Sequence, residues 1–407
     1  MEYTISKENR IIKGEIFLPS SKSISNRLLI MRALANNSFQ INNLSESEDT
    51  LTLEKALAGK SSVINVGHAG TAMRFSTAFF ALQEGEWIIT GSERMKNRPI
   101  GELVDALNLL GADIKYLEKK GYPPLKIKGK KLTGNKIEID GSISSQFITA
   151  LLLIAPATEH GLEIVLKNKI ISASYIRLTL NLMKYMGKDC KWENNIITVP
   201  AGLYQGKDIT VEADWSGASY WYEIVALADK ANLMVHGLQE NSLQGDAAIA
   251  GLFERTGIQT IYLENKINLV KSTTTCNFFE HDFLDNPDMV QTFAVVMVLK
   301  NIPFKFYGTQ SLRIKETDRI AALQNEMKKF GANLTYSEDG ILSWDGIKEQ
   351  PIRGIKSIPT YQDHRMALAF SPVAMVEKSI IIQEPGVVIK SYPNFWEDLK
   401  KVGFTVS

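Results

Sequence analysis

The chain has 407 residues, 44% of them apolar, enough at roughly 150 residues per domain for two or three globular cores. Its 46 basic and 45 acidic side chains leave a net charge of +1, which excludes an overall field drawing it to nucleic acid or an anionic membrane, so any anion site must be a local cluster. Two cysteines, Cys190 and Cys276, with no CxxC, and five scattered histidines exclude a disulfide scaffold and a Cys/His zinc centre.

The opening stretch MEYTISKENR is charged and has no apolar leader core, and the apolar runs at 148–157 and 366–376 are too short for a bilayer. The expectation is an untargeted soluble protein in the reduced cytoplasm. Beyond the N-terminus a two-helix unit recurs six times. Its first helix is apolar almost all round and so should be buried: KSISNRLLIMRALA (22–35), GTAMRFSTAFFAL (70–82), SSQFITALLLIA (144–155), SGASYWYEIVALA (216–228), DMVQTFAVVMVL (288–299) and DHRMALAFSPVAMV (363–376). Most of these open on Ser, Gly, Thr or Asp, the residues that start helices. The starts at 22, 70, 144, 216, 288 and 363 are separated by 48, 74, 72, 72 and 75 residues, too even for chance.

The second helix of each unit is amphipathic and usually ends in Gly ahead of a β-type run, as in GELVDALNLLGADIKY and ETDRIAALQNEMKKFGANLTY, with a weaker first copy at DTLTLEKALAG. Short β-branched runs such as EWIITG and KIEIDG fill the gaps and give each unit three or four strands. One such unit cannot hide its apolar helix alone, which predicts three units per domain, with the break near 211–214 and a ligand cleft between two similar domains. The strand before Pro19 has a choice of either half.

Cations gather at or beside the helix starts: Lys22 and Arg27, Arg74, Arg98, Lys315 and Arg319, Arg365, and Lys390. A helix N-terminus contributes only about 0.3–1 kcal/mol to a nearby anion, so side-chain cations must dominate. In a helix Ser23 and Arg27 share a face, as do Lys315 and Arg319, an arrangement suited to phosphates and carboxylates. Taken alone each motif has a plainer reading. KETDR is equally a surface ion-pair network, GHAGT a turn, SSQ a helix cap, and Asp288, Glu316 and Asp363 caps or ion-pair partners. Neither GxxxxGK[ST] nor GxGxxG is present. His281 and Asp285 are spaced like helical metal ligands but lack a second ligand cluster and read as structural; His68 is open to either reading, and His364 orients its neighbours.

The ordered set SKSISNR, GHAGTAMR, MKNRPIGELVDAL, GSISSQF, DWSGASY, RIKETDR, DHRMALAF and IKSYPNFWEDL resembles the 5-enolpyruvylshikimate-3-phosphate synthase family from end to end. The resemblance implies an α/β fold of two domains, 1–18 with 213–407 and 19–212, each of three βαβαββ repeats around buried helices in an inside-out barrel, with the active site in the interdomain cleft. It implies transfer of the enolpyruvyl group of phosphoenolpyruvate to the 5-hydroxyl of shikimate 3-phosphate by addition and elimination, with no metal or other cofactor, by a cytoplasmic monomer that binds neither nucleic acid nor membrane. By the same resemblance Asp288 accepts the hydroxyl proton, Glu316 gives and retakes the methylene proton, and Lys22 touches both substrates. Ser23, Arg27, Ser144, Ser145, Ser172, Tyr175, Asp288, Ser311 and Lys315 hold shikimate 3-phosphate, and Gly70, Arg98, Gln146, Arg319, Arg365 and Lys390 hold phosphoenolpyruvate. His68 and Ser311 stand where the family usually has Asn. The rivals are the transferase acting on a UDP-linked amino sugar, which usually carries a reactive loop Cys that neither Cys190 nor Cys276 matches, and a non-catalytic anion-binding relative.

Overall fold

The computed structural model describes residues 1–59 and 61–407. Its helices are, in chain order, α1 (Lys22–Leu34), α2 (Glu48–Ala58), α3 (Gly70–Leu82), α4 (Gly101–Leu109), α5 (Ser145–Ile154), α6 (Ala173–Tyr185), α7 (Trp215–Leu227), α8 (Ile249–Glu254), α9 (Val290–Leu299), α10 (Arg319–Met327), α11 (His364–Phe370), α12 (Ala374–Glu377) and α13 (Phe395–Lys401). The six apolar segments are the odd-numbered helices α1 to α11. Side chains cap four of them: Ser21 accepts from Ile24, Ser144 from Gln146, Asp214 from Ser216 and Gly217, and Asp363 from Arg365. The last apolar segment does not run unbroken to 376. It changes to a 3-10 turn at Ser371–Val373, because Pro372 lacks an N–H and its ring crowds the carbonyl of Leu368.

One strand order repeats. In the sheet that follows α3, Val63–Asn65 pairs in parallel with Gly85–Thr90, and Leu125–Gly129 then joins antiparallel, with Asp113–Tyr116 outermost. The parallel pair flanks the buried helix and the antiparallel hairpin follows the amphipathic one, which is βαβαββ. The same order recurs in the other four-stranded sheets with two substitutions. Beside α7 the first position is taken by Ile11–Phe17, in parallel register with Lys230–His236. In the last repeat the N-terminal strand Glu2–Ser6 lies between Ser379–Gln383 and Thr405–Val406. The first repeat keeps only Ile41–Asn42, paired with Ile209–Thr210.

The chain divides into two units, Met1–Ser20 with Glu212–Ser407, and Ser21–Val211. We call them unit 1 and unit 2. Ser20 stays with unit 1 because it bridges to Ala213, while the Asp214 N–H donates to the Pro19 carbonyl at 2.9 Å. Each unit has its own core. In unit 2 it gathers on α1, α3 and α5, where every residue from Phe147 to Ile154 is buried. In unit 1 it gathers on α7, α9 and α11, where Phe293 packs its ring against Phe253, Phe279 and Phe283 at 4.4, 5.2 and 5.4 Å between centroids. Glycine closes most of the amphipathic helices in the left-handed region, as at Gly187 (φ +80°), whereas Gly59, in the weak first copy, has φ −72°. Among the described residues no helix is long and apolar enough to cross a membrane.

Since Phe293 is fully buried and touches three other rings, Phe293→Ala should cost about 3–5 kcal/mol. Urea unfolding followed by circular dichroism measures this; a loss below about 1 kcal/mol would mean that the ring cluster is not the centre of unit 1's core.

Candidate active site

The KETDR segment is not a helix face. Lys315 and Glu316 follow a 3-10 turn at Gln310–Ile314, and α10 begins only at Arg319, with Asp318 capping it through the Ala321 N–H. This bend is what lets Arg319 turn inward. Its side chain is 1% exposed and its N–H edge is filled by three carboxylates: Nε donates to Asp363 Oδ2 at 2.7 Å, Nη1 to Asp288 Oδ1 at 2.8 Å and Nη2 to Glu316 Oε2 at 2.9 Å. Asp288 sits in the single turn Pro287–Met289 ahead of α9, and Asp363 caps α11, so the first residues of three elements converge on one guanidinium. Around this centre Arg365 donates to Asp288 Oδ2 at 2.8 Å and to the Tyr220 hydroxyl at 3.2 Å, Lys390 donates to Glu316 Oε1 at 2.8 Å, and Lys315 lies 3.8 Å from Asp288.

The charges shift one another in a consistent direction. Burial alone raises the Asp288 carboxyl, but Arg365, Lys315 and Arg319 outweigh it and hold the group well below the usual carboxylate range. Burial likewise lowers Arg319, and its three carboxylates more than reverse this. For Lys315 burial prevails over Asp288 and the ammonium is lowered. Asp246 is raised by burial and by the Asp288 charge, while Ser216 donates to it and Asn286 Nδ2 approaches at 3.3 Å. Tyr220 is pushed up to about 12 by burial, with Arg365 pulling the other way.

Unit 2 carries a second cationic group, organised differently. Arg27, on α1, is buried and spends its donors inside the protein: Nε on Thr179 Oγ1 at 2.8 Å, Nη1 on the Ser23 carbonyl at 2.8 Å and Nη2 on the Tyr175 carbonyl at 3.2 Å. Burial brings it down to about 10. Arg74 donates to the carbonyls of Gly70 at 3.1 Å and Pro99 at 3.0 Å, which ties α3 to the segment carrying Arg98. The Arg98 guanidinium lies directly over Gly70, where a Cβ would come within 2.5 Å of Nη1. Lys22 opens α1 and pairs with the buried Asp49 at 3.4 Å. Ser172 precedes α6 in the left-handed conformation (φ 55°), with Tyr175 three residues further on. Ser144, Ser145 and Gln146 form the start of α5. His68 hydrogen-bonds to Ser92 at 2.9 Å.

Seven of the residues singled out in the sequence (Asp288, Lys315, Glu316, Arg319, Asp363, Arg365 and Lys390) thus form one network in unit 1, with Ser311 in the turn just before it. His281 lies in the strand Phe279–Asp282 with its ring edge-on to Phe283, so its spacing to Asp285 is not helical. Among the described residues no group of His, Cys, Asp and Glu is placed to hold a metal ion. Sequence reasoning missed Asp49, Thr149, Thr179, Tyr220 and Asp246. The only signal for the threonines was a hydroxyl inside otherwise apolar helix faces.

The sequence profile of EPSP synthase (3-phosphoshikimate 1-carboxyvinyltransferase) matches residues 6–59 and 53–399. A 3-phosphoshikimate 1-carboxyvinyltransferase of Bacteroides fragilis (strain YCH46) is 48% identical over 409 aligned residues, covering 100% of this chain and 99% of its own. The chain belongs to the EPSP synthase family. A Colwellia psychrerythraea enzyme of the same name is 38% identical over 96% of this chain and 97% of its own. The solved EPSP synthase of Acinetobacter baumannii shares the fold, with a TM-score of 0.78 at 22% identity, covering 100% of this chain and 99% of that one. As a family member the protein is a transferase of the shikimate pathway that moves the enolpyruvyl group of phosphoenolpyruvate to shikimate 3-phosphate. Cys190 is unlike the reactive loop cysteine usual in the UDP-sugar branch, since burial pushes its thiol up to about 11.

Because the Asp288 carboxyl is held down in the folded protein, the stability it contributes is present above its unfolded value of about 3.9 and is lost as the pH falls towards the folded one. Asp288→Asn should therefore flatten the loss of stability between roughly pH 5 and pH 2, read by denaturant unfolding at each pH. An acid limb as steep as in the parent protein would show that the pairing contributes nothing.

Proposed function

We propose that the two cationic groups divide the substrates' charges and that the buried carboxylates of unit 1 handle the protons. Lys22, Ser23, Arg27, Ser144, Ser145, Ser172 and Tyr175, with Ser311 and Lys315, serve shikimate 3-phosphate. Gly70, Arg98, Gln146, Arg319, Arg365 and Lys390 serve phosphoenolpyruvate, and Lys22 serves both. The 5-hydroxyl attacks the phosphate-bearing carbon of phosphoenolpyruvate while Asp288 takes its proton and Glu316 protonates the methylene carbon. The tetrahedral adduct then expels phosphate as Glu316 retakes a proton, restoring the double bond. We place this activity in a cytoplasmic monomer.

The observation that carries the reading is Arg319, one buried guanidinium bound to both Asp288 and Glu316. The cations of unit 1 are paired with these carboxylates, and a clamped Asp288 is a weak base. Arrival of phosphoenolpyruvate changes that. Its carboxylate and phosphate compete for Arg319, Arg365 and Lys390, and a carboxylate that loses cationic neighbours becomes more basic. The same anions that need the cations therefore release the base. Two substrates that each carry negative charge repel by about 4 kcal/mol per unit pair at 4 Å near a protein surface, and the cations offset this. The role of Arg74 is of another kind, since its donors already hold backbone carbonyls, and we assign it to positioning the helix starts.

Phosphate release from phosphoenolpyruvate should require shikimate 3-phosphate and not proceed with UDP-N-acetylglucosamine. Glu316→Gln should bind both substrates and lose at least about a hundredfold in kcat, within the range for removing a general acid–base group. Undiminished turnover in that variant would remove Glu316 from the proton path, and no release by the parent protein with either acceptor would leave a non-catalytic relative. Gly70→Ala must displace Arg98, and losing one charge-assisted hydrogen bond of about 1.5–3 kcal/mol should raise KM for phosphoenolpyruvate roughly tenfold or more. An unchanged KM for phosphoenolpyruvate would show that Arg98 does not contact it.

A further inference from the structure

The helices of unit 1 whose N-terminal ends lie near the Asp288 network have their C-terminal ends elsewhere, and there a second group of cations collects. Arg10, in the turn between Glu2–Ser6 and Ile11–Phe17, donates through Nε to the Leu227 carbonyl at the end of α7 at 2.9 Å. Lys271, closing the strand Lys266–Lys271, donates to the Val225 and Ala226 carbonyls of the same helix end at 3.2 and 2.5 Å. Lys300, just past α9, donates to the Thr256 carbonyl at 2.7 Å. These three side chains line a single hollow of about 360 Å³, together with Asp229, Leu299 and Val376.

Cations at helix C-termini are favourable by themselves, and one such group suffices for a helix end. Here Arg10 and Lys271 share the end of α7, Lys300 serves the turn after α8, and all three positive groups face one hollow. The facing groups from each packed element are Arg10 from the N-terminal turn, Asp229 after α7, Lys271 from its strand, Lys300 after α9, and the Cys276 thiol near Lys300. Asp229 is the one carboxylate lining the hollow; it lies 3.4 Å from Arg10 and is two-thirds exposed, so it offsets little. The excess is felt in the lysines themselves. Burial, then Lys300 and Arg10, bring Lys271 down to about 8, and burial also lowers Lys300. A doubly charged oxyanion in the hollow would relieve that repulsion, and a volume of about 360 Å³ accommodates a phosphate group with a small substituent.

We propose that the hollow lined by Arg10, Lys271 and Lys300 is a binding site for a small phosphate-bearing anion, separate from the Asp288–Glu316 network. The site is defined by charge and shape alone and is independent of the catalytic assignment. Its occupant holds Lys271 protonated, so affinity is highest below pH 8 and falls as the pH rises through it.

The test reads Lys271 directly in the full-length protein. Acetic anhydride labels the neutral amine, and peptide mass spectrometry follows the labelling rate of Lys271 with inorganic phosphate, and with sodium chloride at equal ionic strength. Phosphate at about twice its Kd should slow Lys271 labelling roughly threefold at pH 7.5, the protection shrinking towards pH 9. Chloride should give little protection. The protection should weaken in Lys300→Gln, which leaves Lys271 and its helix carbonyls in place. Equal labelling with and without phosphate, or equal protection by chloride, would overturn the proposal and leave the three cations as helix caps only. The assay reads one lysine rather than turnover, so its failure is distinct from failure of the proton-transfer scheme.

Discussion

A buried guanidinium with no anion beside it costs several kcal/mol, and Arg319 is 1% exposed. Much of the arrangement of unit 1's polar residues follows from that. Asp363 meets Nε, Asp288 meets Nη1 and Glu316 meets Nη2, and each carboxylate arrives from a separate element. Those carboxylates need further cations on their outer oxygens, which Arg365 and Lys390 supply. The result is a lattice of alternating charge. Under the proposed function, an incoming phosphate or carboxylate would compete with these internal carboxylates for the cations.

Unit 2 solves the same problem with neutral partners. Arg27 is nearly as buried, yet threonine hydroxyls and backbone carbonyls accept its hydrogen bonds, and the buried Arg74 donates to the carbonyls of Gly70 and Pro99. Neutral acceptors leave the charge uncompensated, which is why Arg27 is lowered while Arg319 is raised. The two units thus hold their buried guanidinium groups differently, Arg319 among carboxylates and Arg27 among neutral acceptors.

The repeat was legible because its period is written in helix starts, and burial of α5 and α9 follows from their lack of a polar face. The common strand order was not. Nothing in the spacing says that Ile11–Phe17 stands in for the strand before α7, since the whole of unit 2 intervenes in sequence, nor that Glu2–Ser6 completes the last sheet. Those are long-range pairings that local patterning does not encode. At the site, residue type exposed the cations, but their partners were hidden. Thr149, Thr179 and Asp49 are ordinary residues made important by what packs over them. KETDR misled in the opposite direction: its spacing fits a helix face, and Asp318 as a cap starts the helix four residues late.

That late start has a physical logic. Had α10 begun at Lys315, Lys315 and Arg319 would lie one turn apart on the same face, two like charges destabilising the helix. Capping at Asp318 leaves Lys315 and Glu316 in a bend ahead of the helix, where they reach Asp288 and Lys390, while Arg319 takes the first helical position. A single Asp thus decides whether KETDR is a surface stripe or the centre of an ion lattice, and the decision turns on one side-chain hydrogen bond to Ala321 at 3.1 Å. Caps of this kind are worth about 1 kcal/mol in isolation. Here the same bond also sets the direction of a guanidinium on which three carboxylates depend, so its structural leverage is far larger than its energy.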